Sequence, residues 1–163
     1  MIIKEMRPEH WESVKEIFEL GIATGIATFE TKAHEWEIWD KNHLTHSRLV
    51  CIIDERVAGW VAISAVSGRS VYGGVAEISI YIHPSFKGTG MGFVLLDNVI
   101  SESEKNGIWT LQAGIFEDNK SSIRLHEKSG FRKVGYRERI GKLNNQWFNI
   151  VVFEKRSKNI GLS

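Results

Sequence analysis

A chain of 163 residues, 42% hydrophobic and with only two prolines, suits a single domain with a sizeable core spanning residues 1–163. Twenty-one basic against twenty acidic residues leave a formal charge of +1, which supplies no excess field for nucleic acid or an anionic membrane. Neither is expected as a partner. The N-terminus, Met1 to Pro8, lacks the apolar stretch of a signal peptide, and no apolar run reaches a membrane span, so a soluble cytoplasmic protein is expected. The one cysteine, Cys51, allows no internal disulfide and sits in the apolar run Leu49 to Ile53, which suits a buried strand thiol.

In chain order, Ile2, Ile3 and Met6 predict a short first strand. Pro8 then opens a helix with apolar positions at Trp11, Val14, Ile17, Phe18 and Ile22. Two glycines and two threonines between Gly21 and Glu30 break that pattern and predict a loop or broken helix. Helical spacing resumes from His34 to Leu44 through Trp36 and Trp39, with Thr31 as its cap. Arg48 to Ile53 and Val57 to Ala65 are β-branched runs around the polar turn Asp54-Glu55-Arg56, so the first three strands are expected as antiparallel neighbours.

From Val75 the chain alternates: Val75, Glu77, Ser79 and Tyr81 share one face, and Ala76, Ile78, Ile80 and Ile82 the other. The second face reads as core, the first as polar. Met91, Val94, Leu95, Val99 and Ile100 form an amphipathic helix that stops near Asn106-Gly107. A strand follows at Trp109 to Phe116. Glu117 to Ser122 then caps a short helix through Leu125 and His126 that Gly130 ends. Phe131 to Ile140 and Gln146 to Glu154 are two last strands around the turn Gly141 to Asn145, and the polar tail from Lys155 is expected to fray. This order predicts an α/β fold, a mixed sheet with helices on its faces.

Chemistry concentrates between Ile80 and Gly92, where a strand, a glycine-rich turn and a helix start follow one another. Glycines at 88, 90 and 92 allow a tight turn with bare N–H groups, and the helix dipole points its positive end at the same spot. A phosphate or pyrophosphate fits there. A plain strand-to-helix connector can have the same glycines, so the turn alone does not decide.

Lys87-x-x-Gly90-x-Gly92 before a helix, with Asn119, Ser122, Leu125, His126, Glu127, Gly130 and Phe131 downstream, resembles the GNAT superfamily of acetyl-CoA-dependent N-acetyltransferases over nearly the whole chain. The resemblance implies that family's fold, a central, mostly antiparallel sheet with helices on both faces. The family's phosphate motif opens on Arg or Gln; Lys87 supplies a positive charge there without the planar fork of an arginine. Within the superfamily the chain is most similar to the branch that acetylates phosphinothricin, methionine sulfoximine and related amino acids. The stretches that carry this are Ala76-Glu77-Ile78-Ser79-Ile80-Tyr81-Ile82, Leu125-His126-Glu127 and Ala27-Thr28-Phe29-Glu30, the last with Glu30 where some members have Arg.

That resemblance implies direct attack of a free amine on the thioester of acetyl-CoA, a co-substrate, with no metal. It implies Glu77 as the base, acting through water, and His126 as the group that protonates the departing thiolate or assists the amine. Cofactor contacts fall to Ile80, Tyr81, Ile82, Lys87, Gly88, Thr89, Gly90, Met91, Gly92, Phe93, Asn119 and Ser122. The strand amides near Ile80 and Ile82 would pair with the pantetheine arm and supply an oxyanion donor. Phe29, Glu77 and Tyr81 fall to the substrate, a small-molecule amine, and a homodimer is expected because dimers are common in that branch. Phe29 and Trp36 are also the tryptophan and phenylalanine positions best placed to line a pocket. Half-burial of a strand carboxylate would raise the proton affinity of Glu77. A solvated strand glutamate and a packing histidine are the bland alternatives at 77 and 126.

Other patterns are excluded by spacing. Gly88-x-Gly90-x-Gly92 resembles a dinucleotide fingerprint, but its third glycine comes one position early and no acidic residue follows about twenty positions on. No Lys-Ser or Lys-Thr follows the glycines, as a P-loop needs. His43-x-x-His46 lacks a further ligand at a metal-site interval and reads as a helix-end surface pair. Two readings stay open beside the amino-acid substrate: another amine, such as a polyamine, aminoglycoside or protein N-terminus, and a non-catalytic acyl-CoA-binding domain that would not need Glu77.

Overall fold

The computed structural model describes residues 1–163. Its elements in chain order are β1 (Ile2–Glu5), α1 (Trp11–Ala23), α2 (Trp36–Asn42), β2 (Leu49–Ile53), β3 (Arg56–Ala65), β4 (Val75–Ile82), α3 (Met91–Lys105), β5 (Thr110–Phe116), α4 (Lys120–Lys128), β6 (Arg132–Leu143) and β7 (Gln146–Arg156). The strands form one sheet in the order β1-β2-β3-β4-β5-β7-β6, and every neighbouring pair is antiparallel except β4 and β5. The mixed sheet and the three antiparallel first strands are as the residues predict. No helix is long and apolar enough to cross a membrane.

The β2–β3 hairpin turns through Asp54 and Glu55, both at positive φ, with Ile53 opposite Arg56. That is the two-residue turn whose hand matches strand twist. Packing then divides the sheet's two faces. On one, Met91, Leu95, Leu96 and Val99 of α3 cover Val61, Ile63, Ile78, Leu111 and Ala113. Each fully buried aliphatic side chain contributes about 1.5–3 kcal/mol by leaving water. On the other, Val14 and Ile17 of α1 join Trp39, Val50, Trp60 and Ala62. The face expected to be polar is therefore polar only at Glu77 and Ser79. Tyr81 belongs to the second core, stacked on Trp60 at 5.1 Å with Phe18 edge-on at 5.0 Å.

Several boundaries differ from expectation. Pro8–His10 forms a separate 3-10 turn before α1. α2 starts at Trp36 with Glu35, not Thr31, at the cap position, and Glu35 is held by Lys15 Nζ at 2.9 Å. His43 is half-buried and stacked on Trp39 at 4.0 Å, so it is not a surface residue. β6 runs past Ile140 to Leu143, leaving only Asn144 and Asn145, both at positive φ, as the turn. The tail does not fray at Lys155. Ser157 Oγ donates to Glu104 Oε1 at 2.6 Å and Asn159 Nδ2 to Glu104 Oε2 at 3.0 Å, docking the tail on the last turn of α3.

The site is prepared by how β4 and β5 pair. Their parallel ladder has three rungs, Val75 with Thr110, Ala76 with Leu111 and Glu77 with Gln112, and stops there. Beyond it the strands separate. His83 N–H donates to Ala58 O on β3 at 2.9 Å, which fixes the phase of the strand. Because successive residues point their amides to opposite sides, Tyr81 faces β3 while Ile80 and Ile82 turn their N–H and C=O groups into the gap.

Candidate active site

The gap between the splayed strands widens into a cleft of about 700 Å³ whose walls are the 24–30 loop, β4, the start of α3, β5 and α4. At its α3 end, Gly88 and Gly90 have φ of 76° and 83°. A Cβ added at either meets nothing within 4 Å, so glycine is required there by backbone conformation rather than by crowding. Gly92 differs: a Cβ there falls 2.9 Å from Leu125 Cδ2, so this glycine lets α3 and α4 approach. The first α3 backbone bond is Val94 N–H to Gly90 O, which leaves the N–H groups of Met91, Gly92 and Phe93 without helical acceptors. With exposed Lys87 adjacent and Thr89 Oγ1 tying the turn to Phe86 O at 2.7 Å, this is a preformed anion cradle that fits a pyrophosphate.

Asn119 caps α4: its Oδ1 accepts from Ser122 N–H at 3.3 Å and from Ser121 Oγ at 3.2 Å. The cap occupies the oxygen and leaves the amide NH₂ for other partners. Asn119, Ser122, Ile80, Tyr81, Ile82 and the turn from Lys87 to Phe93 all line the one cleft, together with Phe29, Glu77 and His126. Trp36 does not. It packs against Trp11 at 5.6 Å and Trp39 at 5.7 Å in the aromatic cluster around Arg48, as core rather than pocket wall.

Glu77 is exposed at the last rung of the β4–β5 ladder, with Gln112 Nε2 at 3.5 Å from Oε2. The half-burial expected at this position is absent, because the strands part just where a neighbour would have covered the carboxylate. Tyr81, by contrast, has its phenol pushed up to about 12 by burial; a hydrogen bond from the Thr28 side chain opposes this and the charge of Glu30 adds to it. Tyr81 is thus a neutral hydroxyl at ordinary pH. Phe29 is fixed by its ring contacts with Phe116 at 4.6 Å and Phe148 at 6.4 Å, and it lies directly over Gly141, where a Cβ would come within 2.4 Å of the ring.

His126 is 2% exposed. Its Nδ1 lies 2.8 Å from Ser122 O, a carbonyl that can only accept, so Nδ1 carries the proton and Nε2 is the bare nitrogen. Nε2 is buried and has no partner, and burial pushes the imidazole down from its usual value, with the Ser122 bond opposing. A neutral ring with its one N–H already donated has no proton to hand to a thiolate. Its ring also meets Phe131 edge-on at 5.1 Å, a contact that fits the packing alternative at this position.

The site residues that the sequence reading missed are Gln112 on β5, which meets Glu77, and Gly114 and Phe116 on β5 and Lys128 on α4, which line the cleft. The first three were within reach: alternation along Thr110 to Phe116 puts them on the same face as Glu77. Lys128 carried no signal, because its Nζ reaches the cleft by lying 5.0 Å over the Phe93 ring of another helix.

Comparison with known proteins agrees with this geometry. Residues 11–131 match the acetyltransferase (GNAT) family. The chain is 32% identical to a Bacillus subtilis (strain 168) protein named "Putative phosphinothricin acetyltransferase YwnH", over 86% of this chain and 90% of that one. It is 27% identical to the L-methionine sulfoximine/L-methionine sulfone acetyltransferase of Salmonella typhimurium, over 74% of this chain and 80% of that one. Among solved structures, a phosphinothricin acetyltransferase from Sinorhizobium meliloti in complex with AcCoA superposes with a TM-score of 0.85 at 23% identity, over 99% of this chain and 95% of that one, a likeness of fold. By its matched residues, its sheet and its anion cradle, the chain belongs to the acetyltransferase (GNAT) family.

Proposed function

We propose that the chain transfers acetyl from acetyl-CoA to the amine of a small amino-acid-like substrate, with Glu77 as base. The observation that carries this reading is the juxtaposition, at one strand split, of an exposed carboxylate, free strand amides and an anion cradle. The pyrophosphate lies on the N–H groups of Met91 to Phe93 beside Gly88, Thr89 and Lys87, and the pantetheine arm runs along Ile80 and Ile82, with Asn119 and Ser122 on the far wall. A strand N–H then faces the thioester carbonyl and stabilises the oxyanion. The amine enters between Phe29 and Tyr81. Its nitrogen lone pair forms the C–N bond, the C–S pair leaves on sulfur, and Glu77 takes the ammonium proton through water. A bound substrate covering Glu77 supplies the desolvation that the free protein does not. Sulfur takes its proton from solvent, and His126 holds α4 in place.

The names of the Bacillus and Salmonella relatives support an amino-acid-like amine, and the AcCoA-bound neighbour supports the acyl donor. Attack on a thioester needs no metal. A cytoplasmic homodimer fits the same reading: acetyl-CoA is a cytosolic metabolite, and the edge hairpin exposes Tyr136, Ile140 and Trp147. The test is thiol release from acetyl-CoA with the purified chain over methionine sulfoximine, methionine sulfone, phosphinothricin, their carboxamides and polyamines. Turnover of the amino-acid-like members above the polyamines supports the proposal; binding of acetyl-CoA with no thiol release on any amine contradicts it and favours a non-catalytic acyl-CoA-binding domain.

A further inference from the structure

The cleft separates charge along its length. Its charged walls are Glu30, Glu77, Lys87 and Lys128, and no arginine lines it. The two cations stand at the α3 end, Lys87 in the glycine turn and Lys128 over Phe93, where the anion cradle already claims them. The other two charged residues lining the cleft are carboxylates, Glu77 from the sheet and Glu30 from the 24–30 loop.

Glu30 is held at that rim. Phe29, next to it, is pinned by Phe116, Phe148 and Gly141, and Glu30 N–H donates to Thr28 Oγ1 at 3.1 Å. The charge of Glu30 is felt at Tyr81, across the substrate entrance. His34 faces Glu30, with its Nε2 3.7 Å from Oε2. Arg137 and Arg139 lie on the nearby β6 bulge, but neither lines the cleft, and Arg139 is paired with Glu138 at 3.9 Å.

An amine bound for attack must come to Glu77. If it is a free α-amino acid, its own carboxylate arrives two bonds away, between Glu77 and Glu30, with no cation to receive it. Like charges brought together in a partly desolvated cleft are disfavoured. We infer that this cleft selects an amine whose adjacent acid group is masked or absent, such as an amino-acid amide or ester, and that Glu30 sets this preference. The inference rests on the acetyltransferase reading above and narrows its substrate class.

The experiment compares three matched amines with acetyl-CoA by thiol release: methionine sulfone, its carboxamide, and the corresponding amine lacking the carboxylate. Wild type is expected to use the carboxamide and the decarboxylated amine with kcat/KM about tenfold or more above the free acid. Glu30→Gln brings the three within about threefold, and Glu30→Arg puts the free acid ahead. Glu30 is exposed, and equal melting temperatures establish that the variants fold. A wild type fastest on the free acid overturns the inference and leaves the acetyltransferase reading standing, as does a ratio that Glu30→Gln leaves unchanged. No thiol release on any of the three contradicts both.

Discussion

Glu77 on β4 and Gln112 on β5 form the last rung of the parallel ladder, and their side chains meet there at 3.5 Å. The carboxylate is thereby set at the point where the two strands part, facing the cleft rather than a neighbouring strand. Replacing Gln112 with Leu removes the amide while keeping the strand. The expected outcome is a kcat lowered about three- to tenfold with KM for acetyl-CoA unchanged, because the amide only orients the carboxylate. Equal effects on both constants would place Gln112 in cofactor binding instead.

The anion cradle depends on backbone conformation at Gly90. An alanine there meets no steric neighbour but must adopt φ near 83°, which costs about 1–2 kcal/mol. Gly90→Ala is expected to weaken acetyl-CoA binding by about tenfold in calorimetry. Leu95 and Leu96, further along α3, keep the helix in the core. A variant that binds normally would show that the turn is a connector.

His126 is buried and His43 half-buried, and desolvation holds each imidazole below its unfolded value of 6.5. Below that pH the unfolded rings take up protons that the folded rings do not, so stability is full above pH 6.5 and is lost as pH falls, until the depressed folded value is reached. Each ring adds a slope of up to about 1.4 kcal/mol per pH unit. Thermal melts between pH 7.5 and 5.5 are expected to fall more steeply for wild type than for His126→Phe, which keeps the contact with Phe131 and has nothing to titrate. Parallel curves would mean that His126 is not held neutral.

The tail is bound through Glu104, whose carboxyl is held below its usual value first by the Ser157 hydrogen bond and then by that of Asn159. Truncation after Arg156 is expected to lower the melting temperature by several degrees, in line with two lost charged hydrogen bonds of about 1.5–3 kcal/mol each, discounted for partial exposure. An unchanged melt would return the tail to the frayed state expected from its composition.

What the residues disclosed was local. The strand, turn and helix from Ile80 to Gly92, the Asn119 cap and the β2–β3 hairpin each announce themselves within about a dozen positions, because period, φ demand and capping are short-range properties. What they hid was long-range. The exposure of Glu77 depends on β5 leaving β4 after one particular rung, and nothing near Glu77 encodes that divergence. Trp36 has the same spacing whether it faces a pocket or an aromatic cluster, and the polar tail is docked by groups far off in the chain, Glu104 lying 53 residues away from Ser157 and Trp109 O accepting from Ser157 N–H. The tautomer of His126 follows from its own helix, four residues back, but its burial follows from Phe131 and the sheet.

Whether Glu77 takes the proton from the amine is read most directly from the pH–rate profile of Glu77→Gln beside wild type with one amino-acid-like amine. The substitution leaves the cradle untouched, so acetyl-CoA is expected to bind within about twofold of wild type. Turnover at neutral pH is expected to fall by about 10²–10⁴-fold, and the acidic limb of the profile to disappear. A Glu77→Gln enzyme with unchanged turnover across pH would contradict the account.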